Sequence, residues 1–183
     1  MKLYILFFFT FILLSRCDNH ITRRNTITRI EVAKGGCLRG CPVTAISIDS
    51  SLTFGYFGGY KAKLKGNYTG KVTQGFWDSL NMKLEQMNYK HLDTTEYLEL
   101  DGEQAEVICY WAGHKRRITL SIDGFDTTSY KSKFFRDLAY SYDHVKLNKT
   151  SSVVKFEVKY QYMTPPLPKK DNVKFPPPRR AER

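Results

Sequence analysis

The sequence has 183 residues and a formal net charge of +11; 42% of its residues are hydrophobic, 14% are aromatic and 26% are charged. This length fits one domain with a substantial core, and the composition excludes a fibrous or largely disordered chain. The many aromatic residues, 12 Phe and 12 Tyr, favour a fold that is rich in β-sheet.

Residues 1–16 have the features of a signal peptide. Lys2 supplies the positive start, and residues 3–14 form an uncharged apolar run that is too short for a permanent transmembrane helix. The four residues that end at Cys17 resemble the lipobox of bacterial lipoproteins, in which the cysteine carries the lipid. Arg16 stands where that motif usually has a small residue, so ordinary secretion with a free Cys17 is the alternative.

A lipid on Cys17 would attach the protein to the membrane, because no later stretch is long and apolar enough to span a bilayer. This predicts a location in the cell envelope, on the periplasmic or outer-membrane side. Loss of residues 1–16 removes Lys2 and Arg16 and lowers the net charge from +11 to +9.

The remaining positive charge suggests nucleic acid, an anionic surface or no partner in particular. The basic residues are scattered, and no motif for binding nucleic acid is recognisable, so we expect anionic lipid or envelope polymer and not nucleic acid. A solvated surface without a specific partner is the simpler interpretation of this charge and is preferred to either partner. The sequence does not identify a protein partner.

Residues 17–29 are polar and are predicted to be a tether, which is followed by one α+β domain over residues 30–163. Alternating apolar residues predict a strand that begins near Ile30, and a hairpin follows over residues 43–56 with its turn at Asp49. A weaker, polar edge strand is predicted over residues 62–72.

Two stretches have helical periodicity. In residues 73–88, the apolar side chains recur at helical spacing and predict core packing, with Thr73 as N-cap; this stripe is Phe76, Leu80, Leu84 and Met87. A second helix is predicted over residues 130–147. Between the helices, residues 103–111 and 115–123 predict a hairpin whose first strand is apolar on both faces, as an interior strand would be.

The last predicted strand covers residues 154–162, where apolar and polar residues alternate cleanly. Residues 164–183 are rich in proline and basic residues and predict an extended, mobile tail. The expected fold class is therefore α+β, with an antiparallel sheet of about six strands and two helices packed on one face.

Two cysteines and three glycines lie close together in the stretch Gly35-Gly36-Cys37-Leu38-Arg39-Gly40-Cys41-Pro42. A disulfide needs Cα atoms about 4.4–6.8 Å apart, whereas four residues of extended strand would separate them by roughly 13 Å. The chain must therefore curl between the cysteines, which the glycines permit and Pro42 would end. A structural disulfide, a redox or metal-binding thiol pair, and reduced cysteines all fit this stretch.

The metal-binding alternative rests on a second pattern. Cys-x-x-x-Cys-Pro is similar to the motif of SCO-type copper-delivery proteins, in which two thiolates and a distant histidine hold copper. Those proteins have a helix after the cysteines, whereas strands are predicted here. The third ligand would have to be His91, His114 or His144, and spacing singles out none of them.

Two other residues in this argument are Arg39 and Cys109. Exposed backbone N–H groups of the glycine-rich turn could bind an anion, with Arg39 at its tip. Cys109 lies on the predicted interior strand and is most simply a small buried hydrophobic residue.

From Ile30 to about Tyr162, the sequence resembles the DUF6438 type of uncharacterised bacterial envelope proteins, which is common among Bacteroidetes lipoproteins. The resemblance rests on the Gly-Gly-Cys stretch and on Ile46-x-Ile48-Asp49, Gly66-x-Tyr68-Thr69-Gly70-Lys71, Trp77 and Leu80. It implies the same fold and compartment but no chemistry.

No nucleophile elbow, phosphate-binding loop, zinc-binding His pair or dinucleotide fingerprint is present, so we assign no catalytic residue and no cofactor. The favoured hypothesis is a lipid-anchored, non-catalytic binding or scaffolding module. An exposed aromatic patch at Tyr56, Phe57 and Tyr60 would mark its binding face. The alternative is a thiol-redox or copper-handling protein that uses Cys37 and Cys41.

Overall fold

The structure, a computed structural model, describes residues 27–35, 37, 40–93, 102–122 and 129–159. Within these residues, seven strands form one antiparallel sheet in the order β6-β5-β1-β2-β3-β4-β7. The strands are β1 (Ile27–Gly35), β2 (Thr44–Asp49), β3 (Thr53–Gly58), β4 (Gly66–Lys71), β5 (Gln104–Trp111), β6 (His114–Ser121) and β7 (Asn148–Lys149). The helices are α1 (Gln74–Gln86) and α2 (Tyr130–Ala139), with 3-10 turns at Tyr89–His91 and Ser141–His144.

Short-range chemistry closes both predicted hairpins. Between β2 and β3, the Asp49 carboxylate accepts the N–H groups of Ser51 (2.9 Å) and Thr53 (3.2 Å). Between β5 and β6, Ala112 and Gly113 both have positive φ, as a type I′ hairpin turn requires. His114, which lies before the predicted second strand (residues 115–123), is the first residue of β6 and is paired with Trp111.

Both helices begin at a side-chain cap. The Thr73 hydroxyl accepts the N–H of Phe76, which confirms the predicted start of α1, and the Ser129 hydroxyl accepts the N–H of Ser132 at the start of α2. The prediction of a helix over residues 130–147 is too long. The α-helix ends at Ala139, and the chain continues as a 3-10 turn.

The strand predicted over residues 154–162 is wrong for its described part. Residues 154–159, called the strap below, belong to no strand, and their backbone N–H groups at 157, 158 and 159 donate to side-chain carboxylates. The seventh strand is the two-residue β7, which pairs with β4. The sheet thus has seven strands, not about six, and it begins at Ile27, inside the stretch expected to be tether.

The alternating side chains of the strands enter two hydrophobic clusters. The larger cluster holds Ile30 and Val32 of β1 together with the buried side chains of both helices. The smaller cluster combines strand positions that alternate with those of the larger cluster and residues of the strap. It consists of Ala33, Ala45, Ile108 and Val158, with Phe57, Tyr110 and Phe156 packed against it. Strand β5 contributes to both clusters and lies between β6 and β1, which confirms it as an interior strand. No helix in the described residues combines the length and apolar character needed to cross a bilayer.

Candidate functional site

Cys37 and Cys41 form a disulfide with a Cα–Cα distance of 5.5 Å. The carbonyl of Cys37 accepts the N–H of Gly40 at 3.0 Å, and the Sγ of Cys37 accepts the N–H of Cys41 at 2.7 Å. The chain therefore curls between the cysteines, as the distance argument predicts. Gly35 (φ +154°) and Gly40 (φ +75°) have the backbone angles that favour glycine.

The disulfide loop is fixed to the segment that follows β3. The N–H of Val43 donates to the carbonyl of Tyr60 at 2.8 Å, and the N–H of Gly59 donates to the carbonyl of Val43 at 2.9 Å. A Cβ atom at Gly40 would lie 3.2 Å from both the Tyr60 ring and the Lys61 Nζ. The loop is thus held closely from one side as well as closed by its own disulfide.

The predicted site residues have different surroundings. Cys37 is buried, Cys41 is half-buried and Pro42 is exposed. Gly36, Arg39 and Cys17 lie outside the described residues, so the anion contact at Arg39 and the lipid on Cys17 stay predictions.

The three histidines lie on separate elements. His91 and His144 are in different 3-10 turns, and His114 begins β6; all three are exposed. Among the residues that the structure describes, no three His, Cys, Asp or Glu side chains are grouped so that they could hold a metal ion.

The expected aromatic patch is largely absent from the surface. Tyr56 is fully buried in the larger cluster, and its hydroxyl donates to the carbonyl of Leu64 at 3.1 Å. Phe57 is half-buried and packs against the smaller cluster, which leaves Tyr60 as the exposed member, at 38%. The correction follows from strand alternation, because both faces of β3 are covered where these neighbours lie.

Cys109 is a free thiol that lies fully buried in the larger cluster. Burial raises the pKa of its thiol from 9.0 to about 12. Because the thiolate is the reactive form, Cys109 is unreactive near neutral pH, as expected for a small buried hydrophobic residue.

A buried ion pair lies next to the glycine-rich stretch, and the sequence did not reveal it. Lys34 Nζ lies 2.7 Å from Glu103 Oε1, and the Tyr140 hydroxyl donates to Glu103 Oε2 at 2.8 Å. The Lys34 ammonium also lies 4.2 Å from the centre of the Tyr140 ring. These contacts join the end of β1 to the residue that follows α2.

A groove of about 440 Å³ lies between α1 and α2, within the size range of small-molecule sites. Its aromatic residues include Phe76 and Tyr130, which are 36% and 56% exposed. Lys83 of α1 and Lys133 of α2 bring positive charge to its two walls. The remaining lining residues are Ser79, Leu80, Phe134, Asp137, Leu138 and Ser141.

The groove also has a buried polar atom. The Oγ of Ser141 is buried and has no hydrogen-bond partner among the described residues, and Ser141 lines both the groove and a neighbouring cavity of about 490 Å³. Buried hydroxyls normally have a partner. An apolar ligand with an anionic polar group therefore suits the lysines, the aromatic side chains and this hydroxyl together.

The helical periodicity of α1 does not distinguish groove residues from core residues. The helical stripe predicts core packing, and Leu80 and Leu84 are buried, but Phe76 is 36% exposed and lines the groove. Lysines in both helices were visible in the sequence. The sequence does not show that these lysines line the same groove, because the two helices are more than 40 residues apart in the chain.

A family model described as a domain of unknown function, DUF6438, matches residues 28–135, which is more than half of the chain. No curated protein matches the sequence significantly. The matched region contains the disulfide loop, α1 and the first part of α2, and it ends before the strap.

Proposed function

The chain belongs to the DUF6438 family, and from this premise we propose that it is a lipid-anchored, non-catalytic binding module of the cell envelope. Its lipid would be carried by Cys17 and its disulfide loop would be structural. We also infer that both helices lie over the same face of the sheet, since their buried side chains share the larger cluster.

The envelope location is supported by the Cys37–Cys41 disulfide. Disulfides persist mainly in oxidising compartments, and the apolar run of residues 3–14 fits export to such a compartment. The lipid anchor is supported by the position of Cys17, three positions after the end of that run. A mass spectrum of protein taken from the membrane fraction should give a chain that begins at Cys17 and carries lipid, and Cys17→Ser should abolish the modification. An unmodified mature chain would contradict the anchor but leave the binding role open.

The groove between α1 and α2 is the observation that carries the binding role. Aromatic side chains can pack against an acyl chain, and the ammonium groups of Lys83 and Lys133 can pair with an anionic headgroup. An anionic phospholipid of the envelope has both parts. The proposed ligand is therefore an acidic lipid, held one molecule at a time.

Short-chain lipids test this role below their micelle-forming concentration, because they report on the groove without a membrane surface. The chain without residues 1–17 should bind dihexanoyl phosphatidylglycerol more tightly than dihexanoyl phosphatidylcholine in calorimetric titrations. The double variant Lys83→Ala/Lys133→Ala should weaken phosphatidylglycerol binding by about tenfold or more, since each lysine contributes about 1 kcal/mol beside anionic lipid.

Lys63→Ala/Lys65→Ala is the matched control, because it removes two exposed lysines that do not line the groove. Its binding should equal that of the unmodified chain. Equal losses in both double variants would mean attraction by net charge alone and would contradict a groove site. Failure to bind either lipid would do the same.

The redox or copper-handling alternative requires an accessible thiolate at Cys37 or Cys41. Burial of Cys37 in a loop that is closed on itself favours the structural role. Intact mass with alkylation should therefore show a disulfide that resists mild reduction and no adduct after exposure to Cu(I). A pair that reduces readily, or one bound copper that disappears in Cys37→Ser, would make the loop the active centre instead.

A further inference from the structure

The strap, residues 154–159, is held on the sheet by side chains that bind its backbone. The N–H groups of Glu157 and Val158 donate to Oε2 of Glu31 at 2.7 and 3.1 Å, and the N–H of Lys159 donates to Oε2 of Glu106 at 2.6 Å. Three consecutive amides thus reach two carboxylates. A neighbouring strand would normally supply such acceptors from its own backbone.

The carbonyl groups of the strap are bound in the same way. Arg29 Nη2 donates to the carbonyl of Lys155 at 2.9 Å, and Arg117 Nη2 donates to the carbonyl of Glu157 at 3.3 Å. Side chains of the sheet therefore bind both the N–H groups and the carbonyl groups of the strap backbone. Backbone contacts of this kind place few demands on the sequence of the bound segment.

The two carboxylates are buried, and each binds an arginine through one oxygen and the strap backbone through the other. Glu31 is fully buried and lies 2.7 Å from Arg29, and Glu106 is buried and forms an ion pair with Arg117. A buried carboxylate is costly unless its oxygens are paired and hydrogen-bonded. In both residues one oxygen faces a guanidinium and the other faces strap amides. Removal of the strap would leave one oxygen of each without these donors.

The side chains of the strap add a short sequence preference. Val158 is buried in the smaller cluster with Ala45 and Ile108, and Phe156 packs against the same cluster. Between them, Glu157 Oε2 lies 2.5 Å from Lys115 Nζ. The surface therefore accepts an extended segment with an acidic residue between two apolar ones.

The boundary of the family match separates the surface from the segment bound to it. All four charged residues that hold the strap backbone lie within residues 28–135, whereas the strap begins 19 residues after that region. The surface is part of the family domain, and its occupant is not. Residues 150–153 connect β7 to the strap, and residues 151–153 are exposed; this connection is the segment that would have to open in an exchange.

We propose that this surface is a binding site for an extended peptide segment and that it takes the strap of a second copy of the chain by reciprocal exchange. The occupant observed in the same chain has the required chemistry, and a second copy supplies an identical segment. The two copies would each place residues 154–159 on the sheet of the other. This site is separate from the groove between the helices, so failure of either proposal leaves the other standing.

Exchange is tested by mixing two full-length variants, Ala45→Cys and Val158→Cys, both with Cys17→Ser. Position 158 belongs to the same buried cluster as position 45. In a mixed, exchanged dimer, the strap cysteine of one chain lies on the face that carries the other cysteine, and a mild oxidant should join the two chains. We expect a covalent dimer on a non-reducing gel that increases with protein concentration and with warming toward the unfolding temperature.

Lys63→Cys replaces Ala45→Cys in the control mixture, because residue 63 is exposed and does not belong to the smaller cluster. The control should give no dimer above the level of the unmixed variants. Equal dimer formation in both mixtures, or none in either at any concentration tested, overturns the exchange.

A synthetic peptide of residues 151–160 tests the surface itself. The strap variant Val158→Asp should release its own strap and bind this peptide at least about tenfold more tightly than the unmodified chain, whose own strap competes at an effective concentration in the millimolar range. Peptide with Glu157→Lys should bind more weakly. If Val158→Asp does not fold, Lys159→Pro is used, since it removes the amide that donates to Glu106 without changing a buried side chain. A folded variant that does not bind the peptide overturns the proposal.

Discussion

The disulfide loop and the strap are both irregular segments fixed on one sheet, but by different means. The loop is closed by a covalent bond between residues four positions apart and by backbone hydrogen bonds to residues 59 and 60. The strap is held by side chains that lie up to 127 positions away in the sequence. Local chemistry determines the first shape, whereas the assembled sheet determines the second.

The two segments therefore differ in what a single substitution can remove. The loop loses one cross-link but keeps its backbone hydrogen bonds. The strap depends on Glu31 and Glu106, each of which joins an arginine to the strap backbone. We expect stability to be more sensitive to a strap carboxylate than to the disulfide.

Glu31→Ala should have the largest effect of the changes considered. It removes the acceptor for two strap amides and the partner of Arg29 in a buried position. The free energy of unfolding should fall by about 3 kcal/mol, because two strap amides lose a charged acceptor and each such hydrogen bond contributes about 1.5–3 kcal/mol. Urea unfolding followed by circular dichroism measures this change.

Thr119→Ala serves as the control for Glu31→Ala. Thr119 is the β6 residue paired with Glu106 of β5, but it makes no described contact with the strap. It should change the free energy of unfolding by less than about 1 kcal/mol. A loss in Glu31→Ala as small as in this control would mean that the strap contributes little to stability.

The disulfide should contribute less than Glu31. Closing a five-residue ring stabilises a fold by about 2 kcal/mol on the chain-entropy estimate. The double variant Cys37→Ser/Cys41→Ser should therefore unfold at a lower urea concentration but keep the strap, because none of the strap contacts among the described residues involves the loop. Protection of the strap amides from hydrogen exchange checks this second part. Equal losses of protection in the loop and the strap would show that the two segments are coupled.

This difference also determines how far the sequence could predict the structure. The curl at Cys37–Cys41 follows from cysteine spacing, glycines and a proline within eight residues, and the structure confirms it. The alternation of apolar and polar residues in the strap predicts a strand, because successive side chains of a strand point to opposite faces. Nothing within residues 154–159 reveals that carboxylates on β1 and β5 bind its amides.

Glu31 and Phe76 show the same limit at single residues. Glu31 alternates with Ile30 and Val32, a pattern that predicts a solvated charge, yet it is fully buried beneath the strap. Phe76 has helical spacing with core residues but faces the groove. In both residues the surroundings come from a segment distant in sequence, which periodicity does not contain.

Tyr110 provides a smaller test on the strap side of the sheet. Burial, together with the nearby carboxylates of Glu31 and Glu157, raises the pKa of its phenol above the usual 10.0. Folding therefore favours the neutral phenol, and its contribution is present below about pH 10 and is lost as pH rises further, when the unfolded chain ionises first. The free energy of unfolding should fall more gradually between pH 9 and 12 in Tyr110→Phe than in the unmodified chain. Identical slopes would contradict the raised pKa.

The Lys115–Glu157 pair should have the smallest effect. Its atoms are 2.5 Å apart, but the two side chains are 55% and 49% exposed, so water screens their attraction. Glu157→Gln should lower the free energy of unfolding by only about 0.2–1 kcal/mol, and less in high salt. The hydrogen bond from Lys115 lowers the pKa of Glu157 below 4.5. The contribution of the pair is then present above that pH and is lost as pH falls through the lower folded value.

Urea unfolding at pH 7 and at strongly acidic pH separates this charge effect from packing. The difference between Glu157→Gln and the unmodified chain should disappear in acid, because the carboxylate is then protonated in both states. A difference that persists unchanged would mean that the side chain acts by its shape on the strap and not by its charge. The backbone contacts to Glu31 and Glu106 would then account for nearly all of the electrostatic hold on the strap.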